Sequence, residues 1–109
     1  MSYEYKAIVE NVVDGDTIDV AIDLGFKIQT RQRVRLARID TPERGQVNYQ
    51  TAKDFVKNVV LGKSVTITTN KVSKWGYYLA EIMLADGRNL SDTLAQAQLA
   101  KYYDGGHKE

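Results

Sequence analysis

The 109-residue sequence contains no cysteine, one proline, one tryptophan and one histidine. The missing thiols exclude a disulfide framework and thiolate metal sites, and leave the compartment open. No apolar run approaches the roughly 20 residues needed to cross a bilayer, so no membrane association is expected. The N-terminal stretch MSYEYKAIVE has no apolar core of a secretion signal. The expectation is an intracellular protein or an already mature form. The net charge is only +1, so bulk charge does not announce a polyanionic partner. The length and the 43% apolar content predict a single domain over 1–109, with its core over about 5–103 and a mobile tail at 104–109. The sole histidine, His107, falls in that tail and is not expected to act in catalysis.

The charge that is present is unevenly distributed. Residues 1–26 carry six acids against one base, Lys6, whereas residues 27–44 carry six bases against Asp40 and Glu43. Five of the six arginines lie between residues 31 and 44. Within "RQRVRLARIDTPERG", a strand-like run of alternating arginines ends in two carboxylates around Pro42.

Local patterns predict the elements. Ala7 to Val13 reads as a strand, and Asp14-Gly15 as the centre of a type I′ hairpin turn, where positive φ is needed. Thr17 to Asp23 alternates Ile18, Val20 and Ile22 with polar residues and predicts a half-buried strand. A third strand is expected from about Gln29 to Ile39, a fourth from Ser64 to Thr69 and a fifth from Tyr77 to Leu84. Helical spacing of Ala52, Phe55, Val56, Val59 and Val60 predicts a helix from Tyr49 to Leu61, with Asn48 as N-cap and Gly62 just past its end. A short second helix follows from Leu90 to Ala97, capped by Asn89 or Ser91. Three strands, a helix, two strands and a helix define an α+β chain. That order fits a five-stranded barrel of the oligonucleotide/oligosaccharide-binding (OB) type better than a generic sandwich.

Within that order, some polar residues fall on inward-facing rows. Asp16 shares the alternation of Ile18, Val20 and Ile22, and Asp40 that of Val34 and Leu36. A carboxylate there is costly unless paired or metal-bound. Asp16, Asp40 and Glu43 have the hard oxygen donors that Ca²⁺ prefers. Arg35, five residues before Asp40, offers a planar fork for phosphate. A metal beside an arginine and a free carboxylate is minimal equipment for phosphodiester hydrolysis. Bland readings stand beside these. Asp14, Asp40 and Glu43 also suit turns, and Arg31 and Arg33 suit a solvated strand face.

The combination "DGDTIDV", "VRLARIDTPE", "TAKDFV", "KWG" and "LAKYY" resembles the staphylococcal nuclease (thermonuclease) family over about residues 7–103. The resemblance implies an OB barrel with helices and a Ca²⁺-dependent phosphodiesterase acting on DNA and RNA; single-stranded substrates and a monomer are the accompanying expectations. It makes Asp16 and Asp40 metal ligands, with Thr41 contributing its backbone carbonyl. Glu43 becomes the carboxylate at the nucleophilic water and Arg35 a phosphate-binding arginine. Lys74 and Trp75 match a Lys-Tyr pair beside the nucleotide phosphate.

The sequence also departs from the family pattern. Where the family has a second catalytic arginine after Lys-Tyr-Gly, this chain has Tyr77. Tyrosine donates a hydrogen bond but carries no cation at neutral pH. Reduced activity is the expectation, with Tyr77 left to contact substrate. Arg38, two residues before Asp40, is the candidate compensating cation by strand parity; a salt bridge at the barrel rim is the alternative. Gln98 stands where the family closes its second helix with glycine, and the long C-terminal helix of the staphylococcal enzyme has no counterpart before Glu109. Two other functions remain open: a nucleic-acid-binding module of weak or no activity, using tyrosines for base stacking, and a protein-interaction domain.

Overall fold

The computed structural model describes residues 3–72 and 77–102. Five strands close a barrel in the order β1-β2-β3-β6-β5. These are β1 (Tyr3–Asp14), β2 (Thr17–Asp23), β3 (Gln29–Leu36), β5 (Ser64–Val72) and β6 (Tyr78–Met83). The short β4 (Ile39–Asp40) pairs separately with β7 (Lys101–Tyr102). Helices α1 (Tyr49–Val60) and α2 (Leu90–Gln96) complete the order. The α+β barrel with two helices agrees with the sequence reading. Among the described residues, no helix is long and apolar enough to cross a membrane.

The barrel closes because β1 is long enough to serve two neighbours. Residues 7–14 pair antiparallel with β2, and residues 3–8 pair antiparallel with β5. The strand therefore starts four residues earlier than the sequence pattern indicates. Register shifts at Glu10 and Val13 bend it. β3 joins β6 in parallel, the one parallel pair of the barrel. Alternate residues of each strand point inward: Val9, Ile18, Val20, Val34, Leu36, Ile67 and Ile82 are all fully buried. Each such side chain contributes about 1.5–3 kcal/mol. Val56 and Val60 of α1 and Leu90 and Leu94 of α2 pack into the same core.

Three local expectations are corrected. The β1–β2 loop consists of Gly15 and Asp16, flanked by the pair Asp14↔Thr17, and neither loop residue has positive φ. Gly15 is needed for room instead. A Cβ there would meet the Ala52 Cβ at 3.1 Å and the Thr41 Cβ at 3.2 Å. The third strand stops at Leu36 rather than Ile39, because Arg38 turns left-handed at φ 70°. The turn is fastened by Ala37 N–H to Ala80 O (2.9 Å) and by the Ser91 hydroxyl to Ala37 O (2.9 Å). Asn48 is the N-cap of α1 as expected, but it sits at φ 71° and makes no side-chain capping bond. Asparagine tolerates the left-handed region that the entry to this helix requires.

Other signals hold. Asn89 caps α2 by accepting from Asp92 N–H at 3.1 Å. Gly62 is left-handed after α1. Gln98 is left-handed at φ 62°, where the Leu99 N–H reaches back to Leu94 O at 2.9 Å. A non-glycine residue there costs about 1–2 kcal/mol of backbone strain. The proposed tail, His107 included, lies outside the described residues.

Candidate active site

Three short elements deliver the site. The register Thr17↔Arg35 places Arg35 of β3 opposite the start of β2, beside Asp16 in the preceding turn. The Leu36 N–H donates to Asp16 O at 2.8 Å, which fixes that turn against the end of β3. The left-handed turn at Arg38 then sends the chain back through β4, whose Asp40 returns to Arg35. The Nη2 of Arg35 donates to Asp16 Oδ2 at 3.3 Å and to Asp40 Oδ1 at 3.2 Å. Its Nη1 reaches the carbonyls of Leu36 (3.4 Å) and Ile39 (3.3 Å). All three side chains are mostly buried, with 13–18% of each exposed.

These residues line an open pocket of about 290 Å³, together with Asp14, Thr17, Thr41, Pro42, Glu43, Arg44 and Tyr77. Asp16, Arg35, Asp40, Thr41, Glu43 and Tyr77 were all named from sequence, and the fold brings them to one place. Thr41 is buried beneath the pocket and its N–H donates to Asp16 Oδ2 at 3.4 Å. Its hydroxyl is buried without a hydrogen-bond partner. Such an orphan costs about 1–3 kcal/mol and marks a place where stability yields to another requirement. Glu43 is exposed, in a turn closed by Gln46 N–H to Glu43 O (2.9 Å) and Glu43 N–H to Gln46 Oε1 (2.6 Å). Tyr77 also borders a groove with Arg31 and Arg33.

Arg44 at this pocket, and Tyr49 behind its Asp14, escaped the sequence reading as site residues. Tyr49, on the first turn of α1, donates its hydroxyl to Asp14 Oδ1 at 2.5 Å. That carboxylate, with some burial, holds the phenol above its ordinary value. The nearby Arg44 guanidinium works against that rise. Its only sequence signal was its place directly after Glu43. Lys74 and Trp75 lie outside the described residues.

Arg38 is not on a strand face with Asp40, because the strand has already ended. Its guanidinium binds Glu81 through Nε (2.5 Å) and Nη2 (3.0 Å), and Asp92 through Nη1 (3.0 Å). It lies 5.8 Å from the centre of the Tyr102 ring, and it does not line the acidic pocket.

The donors at the pocket are oxygens only. Arg35 donates to Asp16 Oδ2 and Asp40 Oδ1, and Asp16 Oδ1 accepts the Thr17 hydroxyl at 3.1 Å. Among the described residues, no group of three or more acidic, histidine or cysteine side chains converges on one point. Two aspartates at a pocket of oxygen donors suit a hard cation that completes its shell with water or substrate oxygens. They do not fit a soft metal.

A closed five-stranded barrel of this topology defines the OB-fold class. Residues 33–109 match the family described as staphylococcal nuclease homologue. The chain is 33% identical over 96 residues to proteins named uncharacterized endonuclease from Escherichia coli O157:H7 and Escherichia coli. That alignment covers 88% of this chain and 60% of each relative. It is 32% identical over 79 residues to a micrococcal nuclease of Shigella flexneri, covering 72% of this chain and 42% of that protein. The chain belongs to the staphylococcal nuclease family. It spans about 60% of the length of the endonucleases it matches.

Proposed function

We propose that the protein is a Ca²⁺-dependent nuclease that hydrolyses phosphodiester bonds of DNA or RNA, single strands preferentially, acting as a monomer. The observation that carries this reading is the convergence of Asp16, Arg35 and Asp40, from three separate elements, on one small pocket that also holds Glu43. Family membership and the names of the relatives support the nuclease class.

Asp16, Asp40 and the Thr41 carbonyl would hold the cation. When bound, Ca²⁺ supplies Lewis-acid polarisation of a phosphoryl oxygen. The remaining work falls to the chain. Arg35 donates to the non-bridging oxygens and stabilises the charge that grows on them. Its two bonds to aspartate, at 3.2–3.3 Å, are longer than the about 2.7–2.9 Å of tight charge-assisted pairs. The guanidinium is therefore shared, and an arriving phosphate competes for it at small cost. Glu43, exposed on its turn, orients a water and accepts its proton as the water oxygen bonds to phosphorus. The bond from phosphorus to the departing sugar oxygen breaks, and that oxygen takes a proton from solvent. Tyr77 contacts substrate without supplying charge, so a lower rate than that of a two-arginine site is part of the proposal.

Tyr77 also favours a second reading, a strand-binding module with weak or absent catalysis, because it is 37% exposed at the junction of the pocket and the arginine groove. Incubation of labelled single-stranded DNA with Ca²⁺ or chelator separates the two. Cleavage in Ca²⁺, none in chelator, and a loss of at least about 10²-fold in Asp40→Asn are expected. Salt-sensitive binding without cleavage supports the module; neither binding nor cleavage supports a protein-interaction domain.

A further inference from the structure

Of the six arginines, five are paired with carboxylates: Arg31 with Glu10, Arg33 with Asp19, Arg35 with Asp16 and Asp40, Arg38 with Glu81 and Asp92, and Arg88 with Asp86. Arg44 is the exception among the described residues. It lines the acidic pocket, near enough to Tyr49 to oppose the upward shift of that phenol. Tyr49 is in turn fixed by Asp14 at 2.5 Å. Arg44 therefore stands at the pocket wall with no carboxylate of the described residues within 4 Å to neutralise it.

We propose that Arg44 is a catalytic residue, a second cation that contacts the phosphate under attack in a pocket to which Tyr77 brings no charge of its own. This inference rests on the nuclease reading above and names a residue that the reading does not require. Electrostatics gives the reason. Asp14, Asp16, Asp40 and Glu43 line the pocket against Arg35 and Arg44. Without Arg44, formal charge in the pocket is three negative, which repels an anionic diester even when a divalent cation is bound. With it, a divalent cation brings the pocket to neutrality. The chain supplies the geometry too. Arg44 follows Glu43 directly, on a turn closed by the reciprocal Glu43–Gln46 bonds. The carboxylate that orients water and the proposed cation are therefore held by the same short segment.

The experiment uses Arg44→Ala, Arg44→Lys and the double variant Arg44→Ala/Tyr77→Arg, each checked for folding by circular dichroism and urea titration. In Ca²⁺, Arg44→Ala is expected to lower kcat on single-stranded DNA by about 10²-fold with little change in KM. Arg44→Lys should keep part of the rate, and Tyr77→Arg should restore at least tenfold to Arg44→Ala. A structural role alone predicts neither the rescue nor the split between kcat and KM. The second readout needs neither metal nor turnover. Affinity for a labelled oligonucleotide in chelator is followed against salt, where loss of one phosphate contact reduces the log–log slope by about 0.7. Cleavage within threefold of wild type together with an unchanged slope would overturn the proposal. If wild type does not cleave, the nuclease reading fails by itself. The slope then decides alone whether Arg44 meets phosphate: an unchanged slope rejects it, and a reduced slope supports the contact.

Discussion

One twelve-residue stretch, 29–40, builds two guanidinium–dicarboxylate clusters that could hardly differ more. Arg35 is shared between Asp16 and Asp40 with 15% of its side chain exposed and bonds of 3.2–3.3 Å. Arg38 is clasped by Glu81 and Asp92 with 43% exposed, through bonds of 2.5–3.0 Å that include a two-point grip on Glu81. The exposed cluster is geometrically tighter and electrostatically cheaper, because water screens its charges whether or not they pair. The buried cluster is looser and lies in surroundings where each charge counts for more. An ion pair built for stability would have the tight geometry in the dry place. The reversed arrangement fits a rim clasp at Arg38 and a site awaiting other partners at Arg35.

Substitutions around the two clusters sharpen this contrast. The largest effect on folding is expected at the floor of the pocket. Gly15→Ala pushes a methyl group against Ala52 and Thr41 at 3.1–3.2 Å; a loss of about 1–3 kcal/mol in urea titration and a drop in cleavage through displaced Thr41 are expected. A smaller effect is expected at the rim. Arg38→Ala should cost about 1 kcal/mol or less, since both of its partners are substantially exposed. The rim also carries a pH signature. Arg38, and next the Tyr102 hydroxyl, hold the Asp92 carboxyl below its ordinary value. A lowered folded value gives stability that is present above the ordinary carboxylate range and fades as pH falls through the folded value. Urea midpoints of wild type and Arg38→Ala should therefore differ at pH 6 and converge as the pH drops below about 4. A difference that persists at low pH would mean that packing on Tyr102, not charge, is what the rim contributes.

The barrel was legible because alternation and helical spacing report burial directly. Ile18, Val20, Val34, Leu36, Val56 and Val60 all lie where their periodicity placed them. Asp16 was legible for the same reason, as an acid on an apolar row. Asp40 lies beside Arg35 by a route that the sequence pattern did not indicate. Parity along an unbroken strand put it on the core side, yet the strand ends at Leu36 and Asp40 returns through a left-handed residue. Parity therefore misplaced Arg38, whose φ of 70° no arginine signals in sequence. Gly15 was read as a turn residue because Asp-Gly carries that signal, whereas the constraint comes from Ala52 of a helix some 35 residues away in sequence. Arg44 stayed hidden for a related reason. Its neighbours Tyr49 and Asp14 are brought together only by the closing of α1 over the β1–β2 turn.

The most direct measurement compares the two arginines in one assay. Single-turnover cleavage of labelled single-stranded DNA in Ca²⁺ is measured for Arg35→Ala and Arg38→Ala at a temperature where both are fully folded. Arg35→Ala should be slower than wild type by about 10²-fold or more, with Arg38→Ala within about threefold of wild type. Equal losses in the two variants, or a loss confined to Arg38→Ala, would contradict the assignment of the Asp16–Arg35–Asp40 pocket as the centre of the chemistry.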